Sequence, residues 1–241
     1  MHGEEAAGLR LIGHSDLGGF GDAMQVMRHD DALYVAHLGT SGKGTSILDV
    51  SDVTSPRLIR QWNPPAGTHT HKVQVADGML AINHERFRSD SWESAGLALY
   101  DLTEPFDPHQ IGFWPSGGEG VHRIVWEGGE YAYLSATPEG FDDRIWFIVD
   151  LTDPEHPEEV GRWWWPGMWT GGGEQPDWPA DETRNVHHGM VHGDRAYVGL
   201  WDSGMVILDI SEPTNPTVVS RLTWEVGGRT HTCLPLPGRE L

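Results

Sequence analysis

Ile207-Leu208-Asp209-Ile210-Ser211-Glu212 is one of four copies of a single pattern in this chain of 241 residues. In each copy an apolar run of the kind typical of a β-strand ends at aspartate. The hydroxyl and carboxylate side chains that follow can bond to nearby backbone groups and start a turn. The other copies are Ile47–Asp52, Leu99–Glu104 and Ile148–Asp153.

The surroundings of the pattern repeat as well. A proline lies seven residues after each aspartate, and a tryptophan lies thirteen after the first three, as in Trp62, Trp114 and Trp163. The fourth copy has Leu222 at that position. Two further β-type segments with a short polar turn precede each copy, so the unit has four strands. The predicted strand pairs are residues 24–37, 45–62, 71–84, 96–114, 122–135, 144–164, 187–200 and 204–224.

Units of roughly 40–50 residues with four strands are typical of β-propeller blades. We therefore predict an all-β propeller, because a β-sandwich does not require the same unit four times. The predicted complete blades are residues 20–62, 68–114, 119–164 and 185–224, and an incomplete fifth covers 229–241.

Residues 8–13 match the outermost strand of a blade whose inner strands are not present before them. Such a strand fastens a closed ring, which indicates a fragment of a six- to eight-bladed propeller. The alternative is a half-propeller that is completed by self-association through its open edges.

Three segments carry a resemblance to a known family. Ser46–Asp52 reads SILDVSD, Trp146–Pro154 reads WFIVDLTDP, and Met205–Pro216 reads MVILDISEPTNP. These segments resemble the LVIVD repeat, which implies a β-propeller but no particular reaction. The chain also resembles, more loosely, the propellers of selenium-binding proteins and methanethiol oxidases, although it has no cysteine motif that supports this.

Composition excludes several classes of function. The formal net charge of −20 argues against binding to nucleic acid or to an anionic membrane. No apolar run approaches the ~20 residues that span a bilayer. The N-terminal sequence Met1–Glu5 lacks the features of a signal peptide, so we expect a cytoplasmic protein. Cys233 is the single cysteine, which excludes an internal disulfide.

One position of the repeat is rich in histidine. When the units are aligned on their second strands, the start of the first strand holds Met24 in the first unit and histidine in the other four. The first strand lines the central channel of a propeller, so we expect these imidazoles to face one axis. The four histidines are His71, His122, His187 and His231.

Clustered imidazoles are typical of a transition-metal site. We predict Cu or Fe, which fits an oxidoreductase acting on a small molecule, whereas Zn would indicate hydrolysis or a structural role. The alternative is that these histidines bind water in the channel and that the protein is a non-catalytic propeller presenting a face to a protein partner.

Further candidates lie on the same predicted face. His84 and Glu85 close a second strand, and the long insertion at residues 165–184 is rich in tryptophan and glycine. We expect this insertion to act as a lid or substrate wall, or else to be a surface elaboration. Its candidate tryptophans are Trp165, Trp169 and Trp178.

Three neighbours of the histidine positions are not expected to belong to the row of imidazoles. The alternation of side chains along a strand predicts that Arg123 and His188 point away from the channel. Cys233 is either a soft metal ligand or a buried small residue.

Overall fold

The computed structural model describes residues 8–224, 228–236 and 238, and it is all-β. Each of the first two units folds as consecutive antiparallel strands. The strands of unit one are β1 (Ala23–His29), β2 (Ala32–His37), β3 (Thr45–Asp49) and β4 (Arg57–Trp62). A two-residue strand, β5 (Thr68–His69), precedes unit two, whose strands are β6 (Val73–Ala76), β7 (Met79–Arg86), β8 (Gly96–Asp101) and β9 (His109–Pro115).

The third and fourth units repeat this order of strands, and units two and three join into one nine-stranded sheet through the pairing of Gly120 with Glu85. The strands of unit three are β10 (Gly118–Val125), β11 (Tyr131–Pro138), β12 (Ile145–Asp150) and β13 (Glu158–Trp163). Those of unit four are β14 (Val186–His192), β15 (Arg195–Leu200), β16 (Gly204–Asp209) and β17 (Thr217–Leu222). All eight predicted strand pairs are therefore confirmed.

The first strands of successive units are neighbours in space: β1 contacts β6, β6 contacts β10, and β10 contacts β14. We call these four the inner strands and β4, β9, β13 and β17 the outer strands. The only helices among the described residues are two 3₁₀ turns, Leu17–Gly19 and Thr170–Gly172. No helix in the described part of the chain is long and apolar enough to cross a bilayer.

The recurring tryptophan of each outer strand packs against the next unit. Trp62 stacks on Tyr100 of unit two, with ring centroids 5.1 Å apart, and Trp114 meets the ring of Phe147 in unit three edge-on at 5.2 Å. Trp163 belongs to the buried cluster that contains the core of unit four. Leu222, which occupies this position in the last unit, is 56% exposed. The tryptophan that recurs at this position therefore packs each of the first three units against the next one.

A second recurring contact involves the turn after each aspartate. A Cβ added to Gly112 would lie 1.9 Å from the carbonyl oxygen of Pro154, and one added to Gly161 would lie 2.0 Å from that of Pro213. In both pairs an outer strand is pressed against the turn of the next unit, so closely that only glycine fits.

Residues 8–13 have no strand assignment, in contrast to the prediction. Gly13 nevertheless makes the equivalent contact, because an added Cβ would lie 2.0 Å from the carbonyl oxygen of Val53. Val53 stands four residues after Asp49, as Pro154 does after Asp150 and Pro213 after Asp209.

The predicted start of a fifth unit also contains no strand among residues 228–236 and 238. The backbone N–H of Thr230 donates to the carbonyl oxygen of Trp201, at 2.8 Å, so this segment lies beside the end of β15. Residues 237 and 239–241 are outside the described residues.

The close contact between units three and four gives a stability test. A Cβ on Gly189 would lie 2.4 Å from Nε1 of the fully buried Trp146. We expect Gly189→Ala to lower the free energy of unfolding by about 1–3 kcal/mol in urea denaturation, because the indole has no room to move.

Gly21→Ala is the matched control, since a Cβ at Gly21 has no neighbour within 4 Å. Its effect should stay within about 0.5 kcal/mol. Equal effects of the two substitutions would show that units three and four are not packed as described.

Candidate functional site

The recurring histidine position coincides with an extra residue in the inner strand. In β10, Val121 pairs with Ala136 and Arg123 with Ser135, so His122 has no partner of its own. In β14, His187 is the extra residue in the same way, and in β1 it is Met24. Each is a β-bulge, in which two residues on one strand face one on the next.

Unit two has its extra residue in the gap between β5 and β6. Both strands pair with β7, through His69 with Glu85 and Val73 with Ile82. Between these two pairs the chain advances four residues from His69 to Val73, but only three residues in β7, from Ile82 to Glu85. His71 lies within the longer stretch. The four units thus place the same repeat position at the same irregularity.

The structure brings the four predicted histidines into one row, which we call the histidine row. The ring centroids of His71 and His122 are 5.2 Å apart, those of His122 and His187 are 5.0 Å apart, and those of His187 and His231 are 3.8 Å apart. The rings follow one another along the inner strands. Their role as metal ligands stays a prediction.

Glu85 lies at one end of this row and holds two imidazoles. Its Oε2 is 2.8 Å from Nε2 of His69, and its Oε1 is 2.9 Å from Nδ1 of His122. Nδ1 of His71 is 3.8 Å from Oε2. The side chain of Glu85 is 17% exposed. Burial alone raises the pKa of this carboxyl, but the hydrogen bonds from His122 and His69 outweigh it and keep the pKa well below its usual range.

His69 has an oxygen acceptor against each ring nitrogen. Its Nδ1 is 2.8 Å from the carbonyl oxygen of Leu38, while its Nε2 faces the Glu85 carboxylate. A neutral imidazole carries only one N–H. Two such contacts therefore require either a second proton on the ring or a cation between Nε2 and the carboxylate.

His71 is held in its neutral form. The Asn83 side chain accepts from the backbone N–H of Lys72 with Oδ1 and donates through Nδ2 to the carbonyl oxygen of Val121 and to Nδ1 of His71. Burial, the charge of His69 and other neighbours lower the pKa of His71 to about 2. This imidazole is therefore uncharged at neutral pH with its hydrogen on Nε2, so it could bind a metal through Nδ1 only in place of the Asn83 contact.

Ligand-type atoms of His69, His71 and Glu85 lie within 4.8 Å of one another, which is close enough to hold one metal ion. This group contains one of the four predicted histidines. The geometry supports a site at the Glu85 end of the row more directly than a site shared by all four rings.

Arg123 faces the histidine row, so the prediction that it points away is wrong. Its Nη2 donates to Nε2 of His187 at 3.1 Å and lies 3.5 Å from Nε2 of His231. The bulge explains the difference, because an extra residue shifts the alternation of side chains and puts His122 and Arg123 on one side.

His187 uses both ring nitrogens within the row. Its Nδ1 donates to the backbone carbonyl of His231 at 2.8 Å, and its Nε2 accepts from Arg123. Burial and the charge of Arg123 lower the pKa of His187 to about 2. Nε2 of His122 lies 3.3 Å from Nε2 of His187. Because Nε2 of His187 already accepts from Arg123, a hydrogen between the two rings can come only from Nε2 of His122; otherwise a cation must join them.

His188 also stays near the row, against the prediction. Its Nδ1 is 3.2 Å from Oγ1 of Thr232, and its ring centroid is 6.3 Å from that of His187. Trp201, at the end of β15, was missed by sequence reasoning. Its ring centroid is 5.0 Å from that of His187.

The other sequence candidates occupy different places. His84 alternates with Glu85 along β7, so Nδ1 of its ring donates to the carbonyl oxygen of Ser94 and the ring lies beside Phe113, 5.6 Å away. Cys233 lines a groove of about 720 Å³ with Tyr197 on the open face of unit four.

The three insertion tryptophans pack around the periphery of units three and four. Trp165 and Trp178 lie against the guanidinium of Arg184, and Trp169 stacks on Phe141 at 6.3 Å. Trp165 and Trp178 also pack against the buried cluster that contains the core of unit three, which fixes the insertion onto the protein. The lid role stays a prediction.

Sequence reasoning missed His69 as a partner of the site. The signal was present, because Thr68-His69-Thr70-His71 places two histidines two residues apart on a strand, where side chains share a face. Arg123 gave no such signal, since the bulge cannot be recognised from strand alternation.

The LVIVD repeat model matches residues 20–63 and 184–223, which correspond to units one and four. No curated protein matches the chain. Among solved structures, the computationally designed Ika8 protein is similar, with a TM-score of 0.52 and 6% identity over 87% of this chain and 51% of Ika8. The chain therefore spans about half the length of Ika8, and at this identity the likeness shows the fold alone. The designed Ika4 protein gives a TM-score of 0.44 at 9% identity, over 85% of this chain and 91% of Ika4, which does not establish a shared fold.

The buried imidazoles predict a dependence of stability on pH. His71 and His187 take up protons near pH 6.5 when unfolded, but only near pH 2 when folded. Below pH 6.5 the unfolded state binds more protons than the folded state, so the free energy of unfolding decreases as the pH decreases. For metal-free protein, we expect the free energy of unfolding to drop by roughly 2 kcal/mol per such imidazole between about pH 7 and 5.

His71→Gln should make this drop smaller in urea denaturation at the same pH values. His156→Gln is the control, because the His156 side chain is 76% exposed and hydrogen-bonds to Asp153 in a turn. If His71→Gln leaves the decrease in the free energy of unfolding unchanged, His71 is not a neutral, buried imidazole in the folded protein.

Proposed function

We propose that this LVIVD-repeat protein binds a transition-metal ion between His69 and Glu85, with His71 as the third ligand. The observation that carries the proposal is the position of His69, which has acceptor oxygens at both nitrogens. A cation at Nε2 would remove the need for a second proton and would balance the buried Glu85 charge.

The surrounding contacts support a site of this kind. Metal-binding imidazoles usually donate their second nitrogen to a carbonyl or carboxylate. His69 does this through Nδ1 to Leu38. His122 donates to Glu85 and would orient the carboxylate without binding the ion itself.

Two imidazoles and one carboxylate favour Fe(II) or Zn over Cu(I), which prefers sulfur ligands. Three protein ligands leave open positions for a small molecule. With Fe, the proposed activity is oxidation or reduction of a small molecule. The alternative proposal is a non-catalytic propeller that presents a face to a protein partner.

Removal of the proposed ligands tests the site. We expect His69→Ala, His71→Ala and Glu85→Gln each to abolish stoichiometric Fe(II) or Zn in protein purified without an affinity tag, measured by elemental analysis. His122→Ala should lower affinity by about 10- to 100-fold, as loss of an orienting contact does.

His84→Gln and His156→Gln are the controls. His84 is a buried neighbour of Glu85 on the opposite face of β7, and His156 is exposed. Retention of metal in all three ligand variants would overturn the proposal. If His187→Ala and His231→Ala lose metal instead, the ion belongs to the other end of the histidine row.

We also propose that the four units form part of a larger propeller ring, closed either by further units of the same chain or by a second copy. The contact of Gly13 with Val53 supports this, because it reproduces the contact between an outer strand and the next unit. The exposed apolar residues of the outer strand β17 also support it, and so does the extent of the match, since the chain covers 51% of Ika8.

Self-association of the 241-residue chain is the expected result. The open face of unit four exposes Val219, which is 53% exposed, and Leu222. Sedimentation should give a mass above the 26.7 kDa of one chain, and Val219→Glu should lower it. Ile59→Glu is the control, at 43% exposure on β4, whose Trp62 already packs against unit two. A monomer at all concentrations would contradict the prediction.

A further inference from the structure

Arg123 is a buried cation that has no anionic partner among the described residues. The residue is 8% exposed. Its Nη2 contacts the uncharged Nε2 atoms of His187 and His231, and its Nε has no hydrogen-bond partner among the described residues. No carboxylate in the described part of the chain forms an ion pair with it.

A buried charge without a counter-charge is costly, and proteins normally pair such groups. Imidazole nitrogens satisfy two N–H groups but do not neutralise the guanidinium. Burial and the positive charge of Arg144 lower the pKa of Arg123 to about 10. Arg123 therefore remains charged at neutral pH.

Two other arginines belong to the surroundings of Arg123. Arg144 is close enough to lower the pKa of Arg123, although Arg144 is itself paired with Asp143 at 3.3 Å, and a third arginine lies nearby. The guanidinium of Arg229 lies 5.3 Å from the ring of Trp201, which in turn lies 5.0 Å from the ring of His187. Arg229 and His231 are exposed, so this end of the row is open to solvent.

We propose that Arg123, Arg229 and Trp201 form a binding site for a small organic oxyanion, in which a carboxylate or phosphate group pairs with Arg123. Guanidinium groups suit both anions because their N–H donors match the geometry of paired oxygens. The indole of Trp201 offers an apolar surface to the organic part. This site is separate from the proposed metal site and does not depend on a metal.

Thermal unfolding in the presence of simple anions tests the site. The probes are phosphate, acetate and benzoate, compared with sodium chloride at the same ionic strength. The protein is freed of metal on a chelating resin, because a soluble chelator would itself supply carboxylates. We expect phosphate and benzoate to raise Tm by about 3–6 °C at ten times Kd, and benzoate to bind more tightly than acetate because of Trp201.

Arg123→Met is the decisive variant, because it removes the charge and keeps the bulk. It should abolish the stabilisation by anions, and its Tm in chloride should equal or exceed that of the parent chain, since an unpaired buried charge has been removed. Arg229→Gln should weaken benzoate binding by about threefold to tenfold, and because Arg229 is exposed the substitution should leave the fold intact.

Arg57→Gln, at the first residue of β4, is the control and should leave anion binding unchanged. The proposal is overturned if no anion raises Tm above the chloride value, or if Arg123→Met keeps the full rise. If Arg123→Met does not fold, unaltered benzoate binding by Arg229→Gln overturns it. Because metal is absent throughout, failure of the metal proposal does not affect any of these outcomes.

Discussion

The site depends on one extra residue in each inner strand. A regular strand would alternate its side chains, so His122 and Arg123 would lie on opposite faces. The bulge at His122 lets both reach His187, and the bulge at His187 turns that ring toward its neighbours in the same way. Because the extra residue recurs at the same repeat position, the imidazoles of consecutive units lie in one row.

Packing between the units fixes the spacing of that row. The inner strands can be neighbours only if each outer strand fits closely against the next unit, and the tryptophans and glycines of the repeat provide this fit. The Trp114 ring packs edge-on against Phe147. Gly112 lets the turn at Pro154 approach so closely that a Cβ on residue 112 would collide with it. A loosened interface would therefore separate the imidazoles, so the stability of the repeat and the geometry of the site are coupled.

The sequence was sufficient to predict the strands, their order and the grouping of His71, His122, His187 and His231. These features follow from hydrophobic alternation and from the repeat register, both of which are local. It was not sufficient to predict the partners of Glu85 at one end of the histidine row or the position of Arg123 at the other. Glu85 was placed on the correct strand, but its role depends on contacts with His69 and His122 that come from other strands. Arg123 was placed on the wrong face because a bulge changes the direction of a side chain without leaving a recognisable residue pattern.

The two ends of the row have opposite charge requirements. At one end, the buried Glu85 carboxylate lies against His69 and His122, and a cation would balance its charge. At the other end, the Arg123 guanidinium has only neutral nitrogen neighbours among the described residues, which leaves a charge that an anion would balance. His122 and His187 lie between them, with their Nε2 atoms 3.3 Å apart. Since burial strengthens electrostatic interactions, a cation and an anion bound at the two ends would attract one another across these rings. Occupation of one end should therefore favour occupation of the other.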